Sequence, residues 1–253
     1  MMSFMKRMAG NAAGEVMDTV RFFAGVAAVW LVIITVLFAP FHIPSESMQP
    51  SLEVGDRVLV SKWAYGYSRH SLPLGIGYHV PESVDLRIFP RNPERGDVVV
   101  FRNPDDPRNL IKRVIGLPGD VISVQGGRLF INGEQVERER IEERTYMPHG
   151  DRRPVTVTAY IETLPNGVQH HIYERSDFDS VDDVGPFRVP MNSVFVMGDN
   201  RDSSVDSRFS SVGYVELTEV VGRAETVMFT FKRCQRQEGI YCPAGRVWRG
   251  LQL

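Results

Sequence analysis

From Phe22 to Ala39 the chain reads FFAGVAAVWLVIITVLFA, an apolar stretch without a charged side chain. At about 1.5 Å per helical residue, such a stretch nearly spans a hydrocarbon core of roughly 30 Å. It predicts one N-terminal transmembrane helix over 20–40, with the lipid bilayer as a partner. A cleavable leader would carry a shorter apolar region ending in a small-x-small pattern, and here the end reads Phe38-Ala39-Pro40. A buried core helix is the other alternative. Lys6, Arg7 and Arg21 precede the stretch, whereas Arg57 is the only Lys or Arg in a comparable length after it. The positive-inside bias then makes 1–19 a cytoplasmic tail and puts 41–253 on the opposite side of the membrane.

Beyond Pro40 the pattern is β-rich. β-branched runs recur at Arg57–Ser61, Asp97–Phe101, Val121–Gln125, Val194–Met197 and Val220–Phe231. Gly126-Gly127 and Asn132-Gly133 bracket Arg128–Ile131 and predict tight hairpins. Pro165-Asn166-Gly167 joins two alternating runs, Val155–Thr163 and Val168–Tyr173. No long stretch of helical period follows the apolar run. The expected fold is therefore mostly β behind one helix. Segment 136–190 is richer in charge and histidine, and reads as an inserted subdomain whose charged runs are solvated faces.

Charged residues make up 24% of the chain and balance to a formal charge of −2, which leaves no electrostatic footprint for nucleic acid. The two cysteines, Cys234 and Cys242, have no histidine spacing of a zinc site. They are either two unrelated small residues or, outside the cytoplasm, a short-loop disulfide.

Three segments hold residues suited to chemistry. In Ile43–Leu52, IPSESMQPSL, Ser47 is a candidate nucleophile, or simply a turn former. Its usual partner would be a histidine held by aspartate. None of His42, His70, His79, His149, His170 and His171 lies in a recognisable catalytic context, and no G-x-S-x-G turn occurs. Lys112 lies in the otherwise apolar run Leu110–Gly116. Burial disfavours an ammonium and lowers its pKa, so that a neutral amine can take a proton from a serine hydroxyl. The alternative is a lysine that snorkels from a strand edge. The third segment, Gly198–Arg208 (GDNRDSSVDSR), is dense in short polar side chains. There Ser204 could hydrogen-bond a lysine amine, and Asp206 with Arg208 could brace the loop.

Taken together, these motifs resemble the boxes of bacterial signal peptidase I. The matching stretches are Pro44–Leu52 (PSESMQPSL), Gly55–Gly66 (GDRVLVSKWAYG), Arg95–Phe101 with Ile111–Asp120 (RGDVVVF, IKRVIGLPGD) and Gly198–Arg208, in that order behind the apolar run. The resemblance implies a mostly antiparallel β catalytic domain with a hydrophobic face on the membrane. It implies Ser47 as nucleophile and Lys112 as general base, with the Ser47 amide and Ser45 hydroxyl as oxyanion hole. Ser204 would orient the lysine, and Asp206, Arg208 and Arg113 would support the site. Ile43, Pro44, Met48, Leu52, Leu110, Ile111 and Val205 match positions that line the substrate pockets. Family substrates are exported preproteins with small residues at −1 and −3, and the chemistry needs no metal or nucleotide. The location implied is the bacterial inner membrane, single-pass, with a periplasmic domain. The segment 136–190 matches a variable insertion. Glu46 stands where the family more often has glycine, Ser51 replaces a commoner threonine and Ser203 a commoner asparagine. A carboxylate at Glu46 must point away from the oxyanion site, since its charge would oppose the developing anion.

Three other classes remain to be weighed. A partner-binding β domain has no reason to bury a lysine beside a serine loop. A self-cleaving repressor-type protease would need a DNA-binding domain. A Ser-His-Asp hydrolase needs a histidine beside Ser47.

Overall fold

The computed structural model describes residues 2–68, 87–103, 106–150, 153–231 and 238–251. Helix α1 covers Met2–Val32 and runs into a π-helical turn, Ile33–Leu37. Fifteen strands follow. They are β1 (Phe38–His42), β2 (Asp56–Ser61), β3 (Val98–Asn103), β4 (Asp106–Gly116), β5 (Val121–Gln125), β6 (Arg128–Ile131), β7 (Glu134–Gln135) and β8 (Glu137–Tyr146). The remainder are β9 (Val155–Thr163), β10 (Gln169–Glu174), β11 (Val184–Arg188), β12 (Ser193–Met197), β13 (Val215–Glu216), β14 (Val220–Thr230) and β15 (Arg249–Gly250).

The expected membrane-spanning helix over 20–40 does not form. Among the described residues no helix is long and apolar enough to cross a membrane. The apolar run is divided between three elements: its first part ends α1, its middle is the π turn, and its last residues are β1. The α-helical part, Phe22–Val32, is only about 16 Å long. Its end has a local cause. Val32, Ile33 and Val36 are β-branched and lose side-chain freedom in a helix. Pro40 cannot donate to a helical carbonyl and pushes Ala39 toward extended backbone. β1 instead pairs antiparallel with β2, from Phe38 opposite Ser61 to His42 opposite Arg57. It lies at the sheet edge, where a proline is tolerated. The single-pass topology, with a cytoplasmic N-terminus and a periplasmic domain, therefore has no spanning helix to carry it among the described residues.

The mostly β expectation holds. The principal sheet has the order β1-β2-β14-β3-β4-β12-β13, with β15 added to β14. Its pairings are antiparallel. β3 is buried on both faces: Val98 and Val100 join a cluster with Ile43, Met48, Leu52, Val58 and Val60, whereas Val99 and Phe101 join one with Tyr65, Val114 and Val196. A sheet covered on both sides reads as a continuous apolar run, which is what DVVVF is.

Segment 136–190 builds a three-stranded sheet, β10-β9-β8, and contributes β11 to a sheet with β5, β6 and β7. Tyr173 on β10 also forms a parallel bridge with Asn200. The segment is thus joined to the loop that follows β12. Cys242 is disulfide-bonded, and Cys234 lies outside the described residues, as do His70 and His79.

Candidate active site

Ser47 lies in the turn between β1 and β2. The turn is held from below by three apolar anchors, since Ile43, Met48 and Leu52 are all within the core. Backbone bonds close it: Gln49 N donates to Glu46 O at 2.9 Å and Leu52 N to Met48 O at 2.8 Å. Lys112 lies in β4 opposite Val99 of β3. On the other side β12 pairs with β4 only as far as Met197 opposite Arg113. The chain leaves the sheet at Gly198, and the Ser47 turn reaches Lys112 there.

The two side chains meet. Lys112 Nζ donates to Ser47 Oγ at 2.8 Å and to the Ile111 carbonyl at 3.0 Å. Lys112 is 4% exposed and Ser47 6%. Burial pushes the Lys112 amine down to about 8, although the Asp206 and Asp199 carboxylates pull it back up. The shift makes the folded state pH-sensitive. Below about pH 8 the amine is charged in both folded and unfolded chains, and a desolvation cost of about 3 kcal/mol is carried in full. Between about 8 and the ordinary 10.5 the unfolded chain still binds the proton that the folded chain has released, so stability rises with pH through that window.

Ser45 Oγ lies 3.4 Å from Ser47 Oγ. The Glu46 carboxylate accepts the backbone N–H of His149, on the β8–β9 connection, and so is held by a group outside the serine turn. No histidine hydrogen-bonds Ser47 among the described residues.

The loop after β12 braces the serine turn. Asn200 N donates to Ser47 O at 3.1 Å, and Asn200 Nδ2 donates to Glu46 O at 3.3 Å and to Tyr146 Oη at 3.1 Å. Asp206 Oδ2 accepts Gly198 N–H at 2.9 Å, and Arg208 Nε donates to Asp206 Oδ1 at 2.9 Å. Burial opposes ionisation of Asp206, but Arg208 outweighs it and holds the carboxyl below its usual range. Arg113 grips Asp199 through two parallel bonds of 2.8 and 2.7 Å, and donates to Gly96 O at 2.8 Å and Ser51 Oγ at 3.2 Å. Such a planar fork on a carboxylate is geometrically strict.

The sequence-predicted residues fall into groups. Ser47, Lys112 and Ser45 come together, and Arg208 pairs with Asp206. Ser204 is buried, and its hydroxyl helps keep the Asp206 carboxyl ionised; among the described residues no hydrogen bond joins it to the Lys112 amine. Of the residues expected to line substrate pockets, Ile43, Met48 and Leu52 are core. Leu110 and Ile111 are half-buried and pack against different clusters, hence on opposite faces of β4. Pro44 and Val205 are exposed. Sequence reasoning gave no role to Gly198, Asp199, Asn200 or Tyr146. The first three lie inside the polar box Gly198–Arg208, but a partner such as Arg113 is visible only in space.

A serine hydroxyl bonded to a buried lysine amine on an antiparallel β scaffold is the arrangement a serine hydrolase without a histidine would need. Comparison with known proteins agrees. The family described as signal peptidase, peptidase S26, matches residues 16–229. A signal peptidase I of Rickettsia typhi is 35% identical over 217 residues, covering 83% of this chain and 79% of the relative. That of Rickettsia prowazekii is likewise 35% identical over 217 residues, with the same coverage. A crystal structure of a signal peptidase I from Enterococcus faecalis V583 shares 24% identity over 53% of this chain and 97% of that one, with a TM-score of 0.31, too low to argue from. The chain belongs to the signal peptidase family, peptidase S26.

Proposed function

We propose that this chain is a serine endopeptidase that removes N-terminal signal peptides from exported preproteins, cutting after a small-x-small motif. Ser47 is the nucleophile and Lys112 the general base. The observation that carries the reading is the 2.8 Å contact between Lys112 Nζ and Ser47 Oγ in a buried setting. With the amine neutral, its lone pair accepts the Ser47 proton as Oγ attacks the scissile carbonyl. The resulting ammonium returns that proton to the leaving amine, and water then releases the acyl group from Ser47. The Ser47 backbone N–H, which has no acceptor among the described residues, and the Ser45 hydroxyl are the donors for the developing oxyanion. Asp206, Arg208 and Arg113 hold the loop that shapes the site. Pro44, Leu110, Ile111 and Val205 border the substrate groove, with Ile43, Met48 and Leu52 packed beneath the turn.

The test is cleavage of a purified preprotein with alanine at −1 and −3. The wild-type chain should release one signal peptide at that bond, and Ser47→Ala should release none above background. Equal cleavage by folded Ser47→Ala would remove Ser47 from the mechanism. Cleavage by neither protein, across several such preproteins, would remove the substrate class.

A further inference from the structure

Behind the catalytic loop three carboxylates converge. Glu174 ends β10, Asp182 lies between β10 and β11, and Asp202 belongs to the short turn Arg201–Ser203. Each brings an oxygen within 4.8 Å of the others. Glu174 is 3% exposed and Asp182 1%. Two oxygens there, Glu174 Oε1 and Asp202 Oδ1, are buried with no hydrogen-bond partner. The opposite oxygens are engaged. Asp202 Oδ2 accepts Arg175 N–H at 2.6 Å and Ser176 N–H at 3.1 Å, Asp182 Oδ2 accepts Asp179 N–H at 2.5 Å, and Glu174 Oε2 accepts Arg138 Nη1 at 3.2 Å.

The neighbouring arginines are bonded to other carboxylates. Arg138 is shared between Glu174 and Asp177, and Arg201 donates through both terminal nitrogens to Glu162. Arg208 is bound to Asp206. Neither Asp182 nor Asp202 forms an ion pair among the described residues. Buried carboxylates this close repel one another, and an unpartnered buried anion is costly.

We propose that Glu174, Asp182 and Asp202 form a binding site for a hard divalent cation of calcium size, which ties segment 136–190 to the catalytic loop. An all-oxygen donor set selects calcium or magnesium over zinc. Calcium holds its ligands at about 2.3–2.6 Å in flexible geometry, so ligand oxygens up to about 5 Å apart share one ion; magnesium demands a tighter octahedron. The site is structural and does not touch Ser47. Its path to the active site is short: the Arg201 carbonyl, beside Asp202, accepts Arg208 Nη2 at 2.5 Å, and Arg208 holds the Asp206 that binds Gly198.

The test uses the full-length chain. Melting is followed in calcium, in magnesium and in EDTA, and bound calcium is counted by equilibrium dialysis. Calcium at 100 times its Kd should raise Tm by about 5–10 °C, with one ion bound per chain. Glu174→Gln and Asp182→Asn should each weaken binding at least about 10-fold. Without calcium both variants should melt no lower than wild type, because repulsion is relieved. Three results would overturn the proposal: no shift up to about 10 mM calcium, a shift unchanged in the variants, which would mean surface ions elsewhere, or a larger response to magnesium. If one variant does not fold, the other variant and the wild-type stoichiometry decide.

Discussion

Lys112→Arg is expected to lower kcat/KM by about 10⁴-fold while leaving the chain folded. The substitution keeps the positive charge, so an electrostatic role for Lys112 alone predicts little loss. A guanidinium, with a pKa above about 12, cannot give up its proton at any pH where the protein works. The lysine is different because burial has already moved its amine to about 8. At pH 7 about one molecule in ten then carries the neutral amine, enough to sustain turnover. The residual rate in the variant would come from oxyanion stabilisation and substrate positioning. Initial rates on a preprotein substrate, beside thermal melts of both proteins, check this. A loss of less than about 10-fold would show that Lys112 is structural and that another group is the base.

Gly198→Ala is expected to lower kcat by about 10²-fold, although Gly198 carries no chemistry. A methyl group there would lie 2.3 Å from Ser204 Oγ, 2.4 Å from Ser204 Cβ and 2.5 Å from the Ser47 carbonyl. Two of these are not the ends of flexible side chains, so the Ser47 turn and the loop after β12 must move apart. That movement breaks the Asn200 N–H bond to Ser47 O and shifts Oγ relative to Nζ. Overpacking of this kind also costs about 1–3 kcal/mol in stability. Gly250→Ala is the control, since a methyl group there meets no atom within 4 Å. Activity of Gly198→Ala within about twofold of the control would mean the two loops are not packed as described.

The strands were legible wherever one periodic signal dominated. The runs at 57–61, 97–101, 121–125, 128–131, 155–163, 194–197 and 220–231 all correspond to strands, with ends displaced by no more than two residues. β8 was not legible. Its sequence ERERIEERTY is mostly exposed, so neither an apolar face nor a turn marks it as a strand, and its pairing with β9 supplies the order. The apolar run misled for the opposite reason. Hydropathy reports the composition of Phe22–Ala39, whereas β-branched residues and Pro40 decide where its helix stops. In the site, Ser47, Lys112 and the Asp206–Arg208 pair could be named from motifs. The grip of Arg113 on Asp199 and the clasp of Asn200 on Ser47 and Tyr146 join residues distant in sequence, and no local pattern encodes them.

The relation between Ser47 and Lys112 is tested most directly by the pH dependence of kcat/KM for the wild-type chain. A neutral lysine as base predicts an acid limb with an apparent pKa near 8, where burial has moved the amine. Rates should fall about tenfold per pH unit below that limb. An acid limb near the histidine value of about 6.5, or a flat profile from about pH 6 to 9, would contradict Lys112 as the base.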